Sequence, residues 1–233
     1  MLSSVLMLAL TGAHALQPPG TFHDGEAAAR HGERWLALRV REGEARLDTT
    51  RLRVKRVVDE IVDAEGEATA QQVESDATDV VTYLRGPGLH AGKVVRADVE
   101  ALTEAGPVAQ MLQLHGHRYR IETRCKADET VAAEPGSSFF DCSIDLIDGG
   151  RVQTLVRMDA TRSEDIADGR MILGNDASPR ILFAGDLDRD GKLDLLFDAS
   201  DHYNLVRPVL FLSGAAEGDE LLHAVAEHRA VGC

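Results

Sequence analysis

Leu36, Leu38 and Val40 alternate with Ala37, Arg39 and Arg41, a period of two that predicts a half-buried strand. Glu42-Gly43-Glu44 then reads as a turn into Ala45-Arg46-Leu47-Asp48, which makes a hairpin, and residues 52–57 continue the pattern as a third strand. Between Asp59 and Asp76 the chain turns acidic and loses its period, predicting a surface loop with at most one short helix. Residues 80–84 and 93–99 are further strands, and 111–114 and 119–122 flank His115-Gly116-His117-Arg118 as a hairpin.

Asp148-Gly149-Gly150 joins apolar runs at 139–147 and 151–157 and is the clearest tight turn, because two adjacent glycines accept positive φ without a steric penalty. A helical turn is expected at 163–168, followed by strands at 180–185, 193–198, 208–213 and 222–229. Short strands at this spacing, with no long helical period, predict a mainly β protein. The expected form is an antiparallel sandwich or open barrel with little helix. The expected organisation is a signal segment at 1–15, a flexible linker at 16–33 carrying Pro18-Pro19-Gly20, and a single β domain at 34–233.

The signal reading rests on Met1 to Ala15, which carries no Asp, Glu, Lys or Arg and ends in Ala13-His14-Ala15, an A-x-A cleavage pattern. It departs from the usual signal in having no Lys or Arg ahead of the apolar run, and an apolar first strand or helix is the competing reading. No other stretch approaches the roughly 20 apolar residues of a spanning helix, so no membrane insertion is expected. The net charge of −14 repels phosphate backbones and argues against a nucleic-acid partner.

Three cysteines are present, and secretion would place them in an oxidising compartment. Cys125 and Cys142 lie on the two arms of a Gly-, Ser- and Pro-rich loop and are the preferred disulfide. Cys233 could instead bond either of them or link two chains.

The strongest chemical signal is Asp186-Leu-Asp188-Arg-Asp190-Gly191-Lys192-Leu-Asp194, with the pattern D-x-D-x-D-G-x-x-D, inside an apolar hairpin at 181–198. Ca²⁺ takes six to eight oxygens, and alternate residues of a tight loop bring their side chains to one centre. Asp186, Asp188 and Asp190 would supply carboxylates, Gly191 the bend, Lys192 a backbone carbonyl, and Asp194 a bidentate closure. A helical EF-hand is disfavoured because its twelfth position, a Glu in that motif, is Phe197 here. The segment resembles the calcium loops of the FG-GAP and VCBS repeat families, a strand, this loop and a second strand. That resemblance implies a cation-binding loop. Those families stack many copies into propellers, and this chain has one copy, so it does not imply their ligand-binding role. The plain alternative is an acidic hairpin turn without metal.

His115-Gly116-His117 has H-x-H spacing that could bind Zn²⁺, but no third ligand stands nearby, so a hairpin tip with both imidazoles in water is preferred. Ser200, Ser213 and Asp201-His202-Tyr203 suggest hydrolytic chemistry but lack a G-x-S-x-G elbow, and turn-building by Asp198, Asp201 and Asn204 is preferred. Gly86, Gly88 and Gly92 miss the dinucleotide spacing. The residues therefore point to an exported calcium-binding module, non-enzymatic, meeting an unidentified protein or carbohydrate partner. The competing reading is a secreted hydrolase with a structural Ca²⁺ ion and a site on His115, His117 or His202.

Overall fold

A computed structural model describes residues 13–102, 108–130, 137–163 and 171–231. Its strands, in chain order, begin with β1 (Ala15–Gln17), β2 (Gly20–Phe22), β3 (Arg34–Arg41), β4 (Glu44–Arg51), β5 (Arg53–Val57), β6 (Ala70–Glu74) and β7 (Val80–Arg85). There follow β8 (Gly92–Arg96), β9 (Asp98–Ala101), β10 (Ala109–Leu114), β11 (His117–Ala127), β12 (Ser137–Asp148), β13 (Arg151–Ser163) and β14 (Ile172–Leu173). The last are β15 (Arg180–Asp186), β16 (Asp194–Asp198), β17 (Leu205–Val206), β18 (Pro208–Leu212), β19 (His223–Glu227) and β20 (Ala230–Val231). Among the described residues there is no helix, as the short-period pattern predicts, and the helical turn expected at 163–168 falls almost wholly outside them.

The strands build a nine-stranded antiparallel sheet in the order β1-β7-β3-β4-β8-β15-β16-β18-β19 and a six-stranded one in the order β14-β13-β12-β11-β10-β9. In the first, β1 lies against β18 and β19, so the sheet nearly closes into a barrel. The second curves as a half-barrel. Leu38, Leu47, Leu84, Val94, Phe183, Leu196, Leu210 and Leu212 fill the barrel interior. On the other face of the same wall, Ala184, Leu195, Phe197, Val209 and Phe211 pack against Leu112, Ile121, Ile144 and Leu146 of the half-barrel. Strands β15, β16 and β18 are thus apolar on both sides, which explains why Leu195-Leu196-Phe197 and Val209-Leu210-Phe211-Leu212 run without alternation.

A third core corrects the expectation of a flexible linker at 16–33. Strand β1 pairs with β7, β2 pairs with β6, and Phe22 and Ala29 pack on Trp35, Ala37 and Tyr83. The segment is pinned by polar contacts as well. The buried Gln17 side chain accepts hydrogen bonds from the Ala28 and Ala29 amides, Glu26 accepts one from the Val231 amide, and His23 pairs with Asp59. The acidic stretch at 59–76 likewise holds strand β6, with Ala70 and Val73 buried, where a loop was expected. A three-stranded sheet, β2-β6-β5, has too few alternating residues per strand to announce itself in sequence.

The Asp148-Gly149-Gly150 turn joins β12 to β13 as predicted, with Asp148 opposite Arg151. Cys125 of β11 stands directly opposite Cys142 of β12, and the two sulfurs lie at disulfide distance, 2.01 Å. Cys233 lies outside the described residues. Because the bond closes a loop of 17 residues, chain entropy gives it a stabilisation of about 3 kcal/mol. Urea unfolding with and without reductant checks this, and Cys125→Ser reproduces the reduced curve.

Candidate metal centre

The aspartate loop closes the β15–β16 hairpin at one end of the two-sided wall. Asp186 is the last residue of β15 and Asp194 the first of β16, next to the pair Gly185–Asp194 in the sheet register. This position buries them: Asp186 is 6% exposed and Asp194 0%. Gly191 takes φ +87°, the bend expected of it, and Arg189 takes φ +66°.

Asp186, Asp188 and Asp194 come together, each offering a carboxylate oxygen within 4.8 Å of the others, a grouping that could hold a metal ion. Asp190 stands apart from this grouping. Its Oδ1 accepts hydrogen bonds from the Ser213 hydroxyl at 3.0 Å and from the Lys192 amide at 2.8 Å. Lys192 enters the loop through that amide.

Asp194, expected to close the site, is held by donors on both of its oxygens. Its Oδ2 accepts from the amides of Leu187 (2.6 Å) and Asp188 (3.2 Å), and its Oδ1 from the amide (2.8 Å) and hydroxyl (3.1 Å) of Ser213. A carboxylate has about four lone-pair sites, so these donors occupy it, and a bidentate grip would displace some of them. Asp194 thus organises the loop as well as offering an oxygen to the grouping with Asp186 and Asp188.

Asp186 is the opposite case. Its Oδ2 accepts from the Gly191 amide at 3.2 Å, but its Oδ1 is buried with no hydrogen-bond partner. Leaving such an atom unpartnered costs roughly 1–3 kcal/mol, more when charged, and a bound cation removes the deficit. The residues therefore fit a metal ion, and the all-oxygen carboxylate set suits a hard one.

Electrostatics agree. Burial pushes the Asp194 carboxyl up to about 7, the Asp188 charge adding to the effect while the Ser213, Leu187 and Asp188 amides oppose it. Burial also raises Asp188, with the Asp190 and Asp186 charges reinforcing it. A divalent ion reverses both effects.

Segments distant in sequence brace the loop. Arg189 donates to the carbonyls of His90 and Ala91, at 3.1 Å each, and Gly88 lies beside Asp188. The glycine-rich stretch at 86–92, discarded as a phosphate loop, therefore supports the aspartates. Ser213, considered as a nucleophile, is a donor to Asp190 and Asp194. Gly214 follows it because a Cβ there would stand 2.3 Å from Asp188 Oδ2. The one trace of this pair in the sequence is a Ser-Gly step after the apolar run at 208–212.

The histidines of the hydrolytic reading are dispersed. His115 Nε2 lies 3.9 Å from Asp186 Oδ2, His117 is bonded to Asp148 at 2.7 Å, and His202 accepts from the Asn204 amide within its own turn. Ser200 is held by Asp198. Comparison with known proteins finds no match: no protein family, curated protein or solved structure matches the chain.

Two outcomes follow. In the metal-free protein, Asp194 has a folded pKa of about 7 against an unfolded value of 3.8, so the native state binds the proton more tightly. Stability then falls as pH rises between those values, by an amount on the order of 4 kcal/mol. Denaturant unfolding in EDTA from pH 4 to 7.5 measures the fall, and a millimolar divalent cation flattens it. Gly214→Ala drives a methyl group onto Asp188 and lowers cation affinity on the order of tenfold, read by titration calorimetry.

Proposed function

We propose that this chain is an exported calcium-binding protein in which one Ca²⁺ ion at Asp186, Asp188 and Asp194 fastens the β15–β16 loop, and that it serves as a non-enzymatic binding or structural module. The observation that carries the reading is the buried Asp186 Oδ1, without a hydrogen-bond partner, within a group of three converging carboxylates. Ca²⁺ is favoured over Mg²⁺ because a loop with several carboxylates in flexible geometry suits the larger ion, whereas Mg²⁺ keeps its waters and near-ideal octahedral geometry. The pattern of the loop resembles the calcium loops of the FG-GAP and VCBS repeat families, and its position between two strands is consistent with that reading.

Export, to the periplasm or beyond the cell, is supported by the apolar Met1–Ala15 segment and by the cysteine pair at disulfide distance, since disulfides persist in oxidising compartments. Extracellular calcium is typically millimolar, and there a site of modest affinity stays filled and rigid. The partner, a protein or a carbohydrate, meets another face of the molecule.

Calorimetry with Ca²⁺ and with EDTA tests the reading. At millimolar Ca²⁺ and a Kd of ~10 µM the ion adds about 2.7 kcal/mol, which raises Tm by roughly 5–10 °C for a chain of this size. Asp186→Asn abolishes the shift. Superimposable wild-type curves would overturn the proposal.

A further inference from the structure

The β10–β11 hairpin of the half-barrel reaches across to the aspartate loop of the barrel. Its tip is a two-residue turn, His115-Gly116, with φ of +49° and +81°, and Leu114 pairs with His117 on either side. Two contacts bridge the sheets here. Tyr119 packs against the core that holds Leu193, and the His115 imidazole stands 3.9 Å from Asp186.

The spacing of that second contact is informative. On the same hairpin, His117 closes to 2.7 Å on Asp148, an ordinary charge-assisted hydrogen bond. His115 Nε2 holds off at 3.9 Å from Asp186 Oδ2, too long for a hydrogen bond. Two donors each about 2.2 Å from one ion stand about 3 Å apart at a right angle and about 4.4 Å apart in line, and the observed separation falls between these limits. Asp186 is also the residue whose Oδ1 is buried without a partner.

We infer that His115, which stands outside the grouping of Asp186, Asp188 and Asp194 but 3.9 Å from Asp186, turns in as a nitrogen ligand of the same centre, so that the ion is held jointly by both sheets and the site accepts a divalent transition ion such as Mn²⁺ as well as Ca²⁺. The inference rests on the cation-loop reading above. An imidazole nitrogen adds little for Ca²⁺, which prefers oxygen, and more for ions further along the transition series. The ion then ties the half-barrel hairpin to the barrel loop.

The test uses Mn²⁺ and Ca²⁺ as separate probes of the full-length protein. His115→Gly keeps the turn unstrained, since glycine accepts positive φ, and removes the imidazole. His115→Asn, also tolerant of that conformation, guards against a purely conformational effect. Bound Mn²⁺ is expected to show electron spin-echo modulation from an imidazole nitrogen in the wild type and none in either variant. Both variants should lose Mn²⁺ affinity on the order of tenfold while Ca²⁺ affinity stays within about threefold. Mn²⁺ bound without nitrogen modulation, at an affinity unchanged in His115→Gly, overturns the histidine ligand and leaves the aspartate centre standing. A wild type that binds neither ion overturns both.

Discussion

Two carboxylates buried at the end of a wall that is apolar on both faces constrain everything around them. Strands β15 and β16 separate two hydrophobic cores, so the two roots of their loop, Asp186-Leu187 and Leu193-Asp194, are buried while its tip at 189–192 is exposed. Asp186 and Asp194 are drawn in with those roots, where each oxygen needs a donor or a cation. Asp194 meets the demand with backbone amides and Ser213. Asp186 meets half of it.

That division gives the loop two kinds of aspartate. One holds the backbone in shape from inside, through amide donors on the opposite arm of the loop and from Ser213 at the end of β18. The other keeps an oxygen free. Arg189, within the loop itself, spends its guanidinium on the carbonyls at 90 and 91. A preformed, partly unsatisfied anionic site is the arrangement a divalent ion completes, because the shape is held without it and the charge is not.

The N-terminal segment shows how a wrong expectation arose. Pro18-Pro19-Gly20 and a short polar stretch look like a linker because turn residues interrupt any period. Yet strands of three residues suffice when each lies along the edge of an existing sheet, and Leu16, Gln17 and Phe22 are buried by β7 and β6 partners far along the chain. No local pattern encodes such an edge. The 115–117 stretch is the hairpin tip that was expected, with both imidazoles about half exposed. What the local spacing could not announce is that the positive φ at His115 and Gly116 brings His115 to within 3.9 Å of Asp186 in another sheet.

By itself, the sequence determined what depends on neighbours a few residues away. It set the β class, most strand positions, the turn at Asp148-Gly149-Gly150, the bend at Gly191, and a loop rich enough in aspartate to ask for a cation. Period and turn chemistry are local, and they read directly. Only the tertiary structure decided which aspartates converge, which one is occupied by amides, and which segments brace them, because Gly88, Arg189, Ser213, Gly214 and His115 meet through long-range strand pairing that leaves no periodic trace in the chain.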